Sequence, residues 1–289
     1  MITTLPPRDS YEIAGEIKRR LAMERSLAAQ LGDSAVAAIR SGVYTGPDGT
    51  GVSWKELVSA AVARKVSIPP DAPLPEPQAP AGAAQATTVQ VMNETTLGAA
   101  RALAEQGLRP LALNFANGIY PGGGFRSGAR AQEENLCRSS ALFATLEGDP
   151  MYSSHKKRRQ PDSSDWTILS PDVPVFRTDD GTALAEPWLL SFITCAAPVA
   201  AHIGLERSSA LLHTRIHRVL AIARAYGYVD LVLGAWGCGA FGNDPKRTAR
   251  SFREALEGPF AGAFRHVVFA ISDWSAGRRM LGPFRDQFA

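Results

Sequence analysis

Apolar positions recur at helical spacing near the start of the chain. Ile13, Ile17 and Leu21, and later Leu27 and Leu31, fall on one face of a 3.6-residue period among charged neighbours. Ser10 ahead of Ile13 supplies a helix start, and Gly32-Asp33 predicts the break between two helices. Val43-Tyr44 and Val52–Trp54 flank Pro47-Asp48-Gly49, which predicts a small hairpin, and a third helix is expected from Trp54 to Lys65. Residues 69 to 86 then carry Pro69, Pro70, Pro73, Pro75, Pro77 and Pro80 among small and polar residues. Such a stretch is extended and cannot pack a core, so it is expected as a tether or a strap over the surface.

From Thr87 onward short apolar runs alternate with longer amphipathic ones. Strands are expected at Thr88–Met92, Pro110–Phe115, Leu189–Cys195, Val229–Ala235 and His266–Ile271. Helices are expected at Thr95–Gln106, Gln132–Leu146, Arg207–Tyr226 and Asp244–Glu257. The polar region 147 to 186 adds short strands near Thr167–Leu169 and Val173–Arg177. Continuous apolar runs such as Leu231–Ala235 and Val267–Ile271 predict a sheet covered on both faces by helices. The class is α/β. Its expected organisation is a helical accessory region over 1–68, a Pro/Ala-rich strap over 69–86, and one domain over 87–289.

Composition narrows the picture without deciding it. The 289 residues are 45% apolar and 20% charged, with 26 Gly and 20 Pro, which excludes a collagenous, coiled-coil or wholly disordered chain. A formal charge of +3 is too weak to argue nucleic-acid binding. Cys137, Cys195 and Cys238 lie far apart, so neither a disulfide framework nor a CxxC-type zinc site is written, and a reducing, cytoplasmic setting is expected. The N-terminus carries charges where a secretory peptide needs its apolar stretch. The charge-free run from Trp188 to Leu205 contains Ser191, Thr194, Pro198 and His202, and reads as a buried strand entering a loop rather than a membrane span.

In a sheet of this kind ligands sit where loops leave the carboxyl ends of strands. The first such loop runs from Asn114 to Arg138. Gly122, Gly123 and Gly124 carry no Cβ to hold a ligand away and permit positive φ, so successive N–H groups can converge on an anion such as a diphosphate. Gln132 then opens a helix whose first-turn amides add to that preference. Seven residues separate Gly124 from Gln132, so this is not the dinucleotide-binding GxGxxG fingerprint. Glu133 and Glu134 diverge by about 100° on a helix, which assigns one carboxylate to the ligand and the other to bracing it. An acidic first turn also complements a helix dipole. The glycines and the amides of Asn114 and Asn117, suited to sugar hydroxyls, favour the ligand.

The second loop follows the strand at Val229–Ala235. Gly234, Gly237, Gly239 and Gly242 precede Asn243, Asp244 and Pro245, a strong helix start that again offers amides to phosphate. Phe241 is placed either to lie against a ribose or to fill the core. Cys238 has no nearby His to activate it as a nucleophile. Thr194 to Val199 reads as a strand end. His213 and His217 have metal-ligand spacing but no carboxylate or Cys ligand beside them, so they read as a helix face and no metal is expected. The basic run His155 to Arg159 is a solvated loop or a steering patch for a polyanion.

The GGG, seven-residue spacer and QEE of this first loop resemble the signature of the poly(ADP-ribose) glycohydrolases. The preceding NFAN and the stretch Val91 to Leu103 are similar to the bacterial-type members, and the resemblance covers most of residues 87 to 275. It implies a macrodomain-like mixed sheet between helices and an enzyme that hydrolyses ribose–ribose O-glycosidic bonds, exo-acting, with ADP-ribose as product. Glu134 is then the general acid/base through an oxocarbenium-like transition state, while Glu133 and Asn117 orient the distal ribose. Gly122, Gly123, Gly124 and Gln132 bind substrate together with Gly237, Cys238, Gly239, Ala240 and Phe241. Thr194 and Ala196 lie near the adenine or proximal ribose. The implied partners are poly(ADP-ribose) or ADP-ribosylated protein, with no cofactor, membrane or direct nucleic-acid contact. Two alternatives share the same pocket: hydrolysis of single ADP-ribose groups from protein or nucleic-acid adducts, and a non-catalytic ADP-ribose reader.

Overall fold

The computed structural model describes residues 2–76 and 86–289. In chain order the first segment forms β1 (Ile2–Thr4), α1 (Tyr11–Leu21), α2 (Arg25–Ser41), β2 (Val43–Thr45), β3 (Gly51–Ser53), α3 (Lys55–Arg64) and β4 (Val66–Ile68). The second continues with β5 (Thr87–Met92), α4 (Thr96–Ala104), β6 (Leu111–Ala116), α5 (Gln132–Ser139), α6 (Leu142–Leu146) and α7 (Pro150–Lys156). It ends with β7 (Thr167–Arg177), β8 (Ala183–Ala196), α8 (Ala200–Ile203), α9 (Leu205–Ala225), β9 (Asp230–Leu233), α10 (Pro245–Glu257), β10 (His266–Ala270) and α11 (Leu281–Gln287).

Eight strands make one mixed sheet in the order β1-β5-β10-β9-β6-β8-β7-β4, and β2 pairs with β3 as the expected hairpin. The first six are parallel, and β7 and β4 are antiparallel to their neighbours. Alternate residues of each central strand enter opposite apolar layers, as a period of two requires. Leu111, Leu113, Val267 and Phe269 pack with α9, α10 and α11. Ala112, Val268 and Ala270 pack with α3, α4, α5 and α6.

Several elements differ from the sequence pattern, each for a local reason. Helix α2 runs straight through Gly32-Asp33, and the chain breaks between Leu21 and Arg25 instead. Gly32 serves packing: a Cβ there would stand 2.4 Å from the carbonyl oxygen of Phe125. The single helix expected over Gln132–Leu146 is two, because Ser140 is extended and bridges Val175 while the Ala141 N–H donates to Pro174 O. The two short strands expected near Thr167 and Val173 are one, with an irregularity between Ser170 and Val173 where Asp172 adopts φ +49°. The basic run is not wholly a solvated loop: His155 is buried at the end of α7, and Arg158 pairs with Asp162.

The region expected as a helical accessory piece also carries, within residues 2–68, the strands at both edges of the sheet. β1 lies parallel to β5 and β4 antiparallel to β7. Three-residue strands are too short to show periodicity, which is why the sequence conceals them. Of the expected strap, Ala72 and Leu74 pack on the α9 face, and the Arg218 Nη2 group donates to Pro69 O and Ala72 O. Its residues 77–85, with Pro77 and Pro80, lie outside the described residues. Among the described residues no helix is long and apolar enough to cross a membrane.

Candidate active site

Strands β10, β9 and β6 are neighbours, and the loops leaving their carboxyl ends enclose a cavity of about 450 Å³. Phe115 to Asn117 line it from β6, Ala235 to Gly237 and Gly239 to Phe241 from β9, and Ala270 to Ser272 with Trp274 from β10. The first turn of α5 forms the wall at the β6 end. The cavity therefore runs across strands spaced about 4.8 Å apart, long enough for an extended ligand.

Ala131, at the N-cap of α5, provides no side-chain cap. Four consecutive side chains tie the first turn down instead. Gln132 Oε1 accepts from Phe115 N–H (2.9 Å), and its Nε2 donates to Leu113 O (2.7 Å) and Thr96 Oγ1 (3.0 Å). Glu133 accepts from Asn117 N–H (2.6 Å) and more loosely from Asn114 Nδ2 (3.3 Å). Glu134 Oε1 accepts from Gly124 N–H (3.0 Å). Asn135 Nδ2 donates to Asp179 Oδ1 (2.5 Å).

The two glutamates sit in unlike surroundings. Glu133 is only 3% exposed, and burial pushes its carboxyl up to about 8, a rise that the neighbouring charge of Glu134 reinforces and the Asn117 and Asn114 hydrogen bonds oppose. Glu134 is half-buried on the cavity wall, and its Oε2 makes no hydrogen bond among the described residues. The 100° divergence does not keep them apart. A Cβ on Gly123, where φ is +56°, would stand 2.4 Å from Glu134 Oε1 and 3.2 Å from Glu133 Oε2, so both carboxylates converge there. A side chain at that position has no room.

The glycine triplet shapes this loop more than it lines the cavity. Gly123 N–H donates to Tyr120 O and Gly124 N–H to Glu134, so those amides are already engaged. Asn117 lines the cavity, and its Oδ1 accepts from the N–H groups of Ile119 and Tyr120 (both 2.9 Å). Gln132 lines it too, with its amide fully used within the protein.

The second loop is fixed by Asn243, which donates to Pro198 O (2.8 Å) and Gly237 O (3.1 Å), and by Asp244, which caps α10. Gly239, Ala240 and Phe241 line the cavity, and their N–H groups donate to no acceptor among the described residues. Successive free amides in a glycine-rich turn suit an anion. The Phe241 ring is only partly buried, on the cavity wall. Cys238, expected among the contacts, faces away: its Sγ contacts Trp236 O and Thr248 Oγ1, and its N–H donates to Ala235 O. Burial pushes that thiol up to about 12, which leaves no thiolate to act as nucleophile. Thr194 and Ala196 are fully buried in β8 behind the wall, where Thr194 Oγ1 accepts from Asn114 Nδ2; the next residue along, Ala197, reaches the cavity.

The wall also holds residues that the sequence pattern did not single out, among them Phe115, Arg130, Trp236 and Trp274. Trp274, 47% exposed at the rim, stands on a loop organised by Asp273, which accepts from the N–H groups of Ser275, Met280 and Leu281. The strand-end rule that found the other two loops would have found it as well. His213 and His217 pack with ring centroids 4.5 Å apart and planes tilted by 41°, and the described residues hold no group of three metal-ligating side chains.

Two converging carboxylates on a helix start, facing a row of free amides, match a known family. The model of the microbial-type PARG (poly(ADP-ribose) glycohydrolase) catalytic domain matches residues 32–178. The chain belongs to this family. It is similar to the poly(ADP-ribose) glycohydrolase of Thermomonospora curvata, at 40% identity and TM-score 0.83, over 91% of this chain and 99% of that one. That protein's complex with the inhibitor ADP-HPD matches over the same shares, at 41% identity and TM-score 0.83. The glycohydrolase of Deinococcus radiodurans in complex with ADP-ribose matches at 38% identity and TM-score 0.66, over 87% of this chain and 96% of that one. No curated protein matches. The family match begins within α2, ahead of residue 87.

Proposed function

We propose that the protein releases ADP-ribose from the ends of poly(ADP-ribose), with Glu134 as the general acid and then the general base. The observation that carries this is the Glu134 carboxylate, on a residue that lines the cavity, anchored through one oxygen on Gly124 N–H while the other makes no hydrogen bond among the described residues. Cleavage of the ribose–ribose bond leaves a cationic sugar and an alkoxide-like oxygen. Glu134 gives that oxygen its proton as the C–O bond breaks, then takes a proton from the water that attacks the cation. Such positioned acid–base catalysis contributes about 10²–10⁴-fold.

The remaining groups hold the substrate. Glu133 and Asn117 orient the distal ribose, the free amides of Gly239 to Phe241 take the diphosphate, and the Phe241 ring limits movement of the sugar. Chain-end specificity is supported by the α1–α2 junction at the cavity mouth, where Leu21 lines the wall and Arg130 Nη1 donates to Met23 O. Unpaired, buried Cys137, Cys195 and Cys238 support work in a reducing cytoplasm.

Digestion of automodified polymer tests both parts. Free ADP-ribose is expected as the early product, and oligomers appearing first would refute the chain-end claim. Glu134→Gln is expected to lower turnover about 10²-fold or more while ADP-ribose still binds, as read by calorimetry. Near-normal turnover in that variant would remove Glu134 from the chemistry. Release only from mono-ADP-ribosylated protein would favour the side-chain hydrolase alternative.

A further inference from the structure

We propose that Asp179 is a positioning residue for this hydrolysis, fixing the rotation of the first turn of α5 and through it the place of the Glu134 carboxylate. The inference rests on the role given to Glu134 above. Residues on a helix are 100° apart, so the ties of Gln132, Glu133, Glu134 and Asn135 surround the axis. The first three hold α5 to β6, α4 and the glycine loop. The fourth, Asn135 to Asp179, reaches the turn between β7 and β8. Among the described residues it is the first turn's own tie to that side; the last turn of α5 is held there separately, by Ser139 Oγ on Thr178 O and Arg177 Nη1 on Arg138 O (both 3.3 Å).

That turn is a fixed reference. Thr178 N–H donates to Thr182 O (2.9 Å), and Asp180 Oδ1 accepts from Thr178 Oγ1 (2.6 Å) and Thr182 N–H (3.0 Å). Arg177 anchors it to α2 through Leu31 O (3.0 Å) and Ser34 Oγ (2.9 Å). Asp179 itself is 6% exposed, which is an expensive place for a carboxylate unless both oxygens are used. They are: Oδ1 accepts from Asn135 and Oδ2 from Thr95 Oγ1 (2.7 Å), the same hydroxyl that caps α4 by accepting from Gly98 N–H. Asn135 and Thr95 both line the cavity whereas Asp179 does not, so it acts only through them.

Loss of the tie lets α5 turn while the second loop, which takes the diphosphate, is untouched. Asp179→Ala is therefore expected to lower kcat on polymer about 10- to 100-fold, since a misplacement of about 1 Å costs that much. ADP-ribose affinity should change little, and Asp179→Asn, which keeps an acceptor for Asn135, should recover most of the loss. Rates are read well below each variant's Tm and normalised to ADP-ribose-binding sites, so that a smaller folded fraction cannot imitate the effect. Wild-type kcat in Asp179→Ala, or equal losses in Asp179→Ala and Asp179→Asn, would overturn the assignment. A kcat loss matched by an equal loss of ADP-ribose affinity would overturn it too. A wild-type protein that frees no ADP-ribose would instead overturn the function on which the assignment rests.

Discussion

At the scale of single residues, Glu133 carries the clearest energetic signature. Its unfolded pKa is about 4.3, while in the fold burial holds it at about 8. Between those values the folded chain binds one more proton than the unfolded chain. Stability contributed at this site is thus whole below about pH 4 and falls as pH rises to 8, at up to about 1.4 kcal/mol per unit. Glu133→Gln should remove that slope. Its amide can still accept from Asn117 N–H, and Asn114 Oδ1, buried without a partner, becomes an acceptor for its NH₂ if the Asn114 amide turns over. Urea midpoints at pH 5, 7 and 8 check this: the variant should gain on the wild type as pH rises, and parallel curves would contradict the buried-proton account. The acid pair itself was legible, because spacing places it on a helix start after glycines. Its inequality was not, since no linear pattern shows that Asn114, itself held by Thr194, closes over one carboxylate while the other stays on a wall.

At the scale of elements, glycine was the residue most easily misread. A glycine inside a helical pattern looks the same whether it ends the helix or admits a neighbour. Gly32 admits Phe125, and Gly128, at φ +81°, admits Arg25, whose carbonyl oxygen would stand 2.2 Å from a Cβ there. Arg126 and Asp33 close the same contact at 2.7 Å. Helix α2 thus buttresses the segment from Gly124 to Arg130, and Gly124 holds Glu134. Gly32→Ala should destabilise the fold by about 1–3 kcal/mol through overpacking, outweighing the better helix propensity of Ala. It should also lower kcat, because the Phe125 carbonyl must move. Gly15→Ala in α1 is the control: its Cβ meets only Arg19 Nη1, at 3.5 Å, and it should stabilise by up to about 1 kcal/mol. Thermal unfolding and polymer turnover of the pair separate the two roles of glycine. Equal behaviour would mean that α2 does not shape the loop.

At the scale of the whole molecule, strand order is what assembles the site, and strand order was only partly legible. Continuous apolar runs announce a covered sheet, but not that β10, β9 and β6 follow one another across it so that three loops meet. Nor do they reveal that residues 2–8 run along its edge. Past β1 the chain continues along the sheet: Arg8 bridges Met92, and Asp9 Oδ1 accepts from Asn93 Nδ2. Asp9 also pairs with Arg278 (2.8 and 3.1 Å to Nε), whose guanidinium donates further to Ser10 O and Ser275 O. Arg278 holds φ at +46°, a conformation costly for a side chain with a Cβ, so these bonds offset backbone strain. The segment from Arg8 to Ser10 is thereby locked to the loop that carries Trp274 and Met280 on the cavity wall. Asp9→Ala strands a nearly buried guanidinium, 9% exposed along its side chain, and should cost about 1–3 kcal/mol. For a chain of this size that is a Tm lower by several degrees. ADP-ribose should bind more weakly because the β10 end of the cavity loosens, while kcat at saturating polymer stays near wild type because α5 lies at the other end. A kcat loss without an affinity loss would show that the two ends of the cavity are mechanically one, and that the N-terminal lock serves the chemistry rather than the grip.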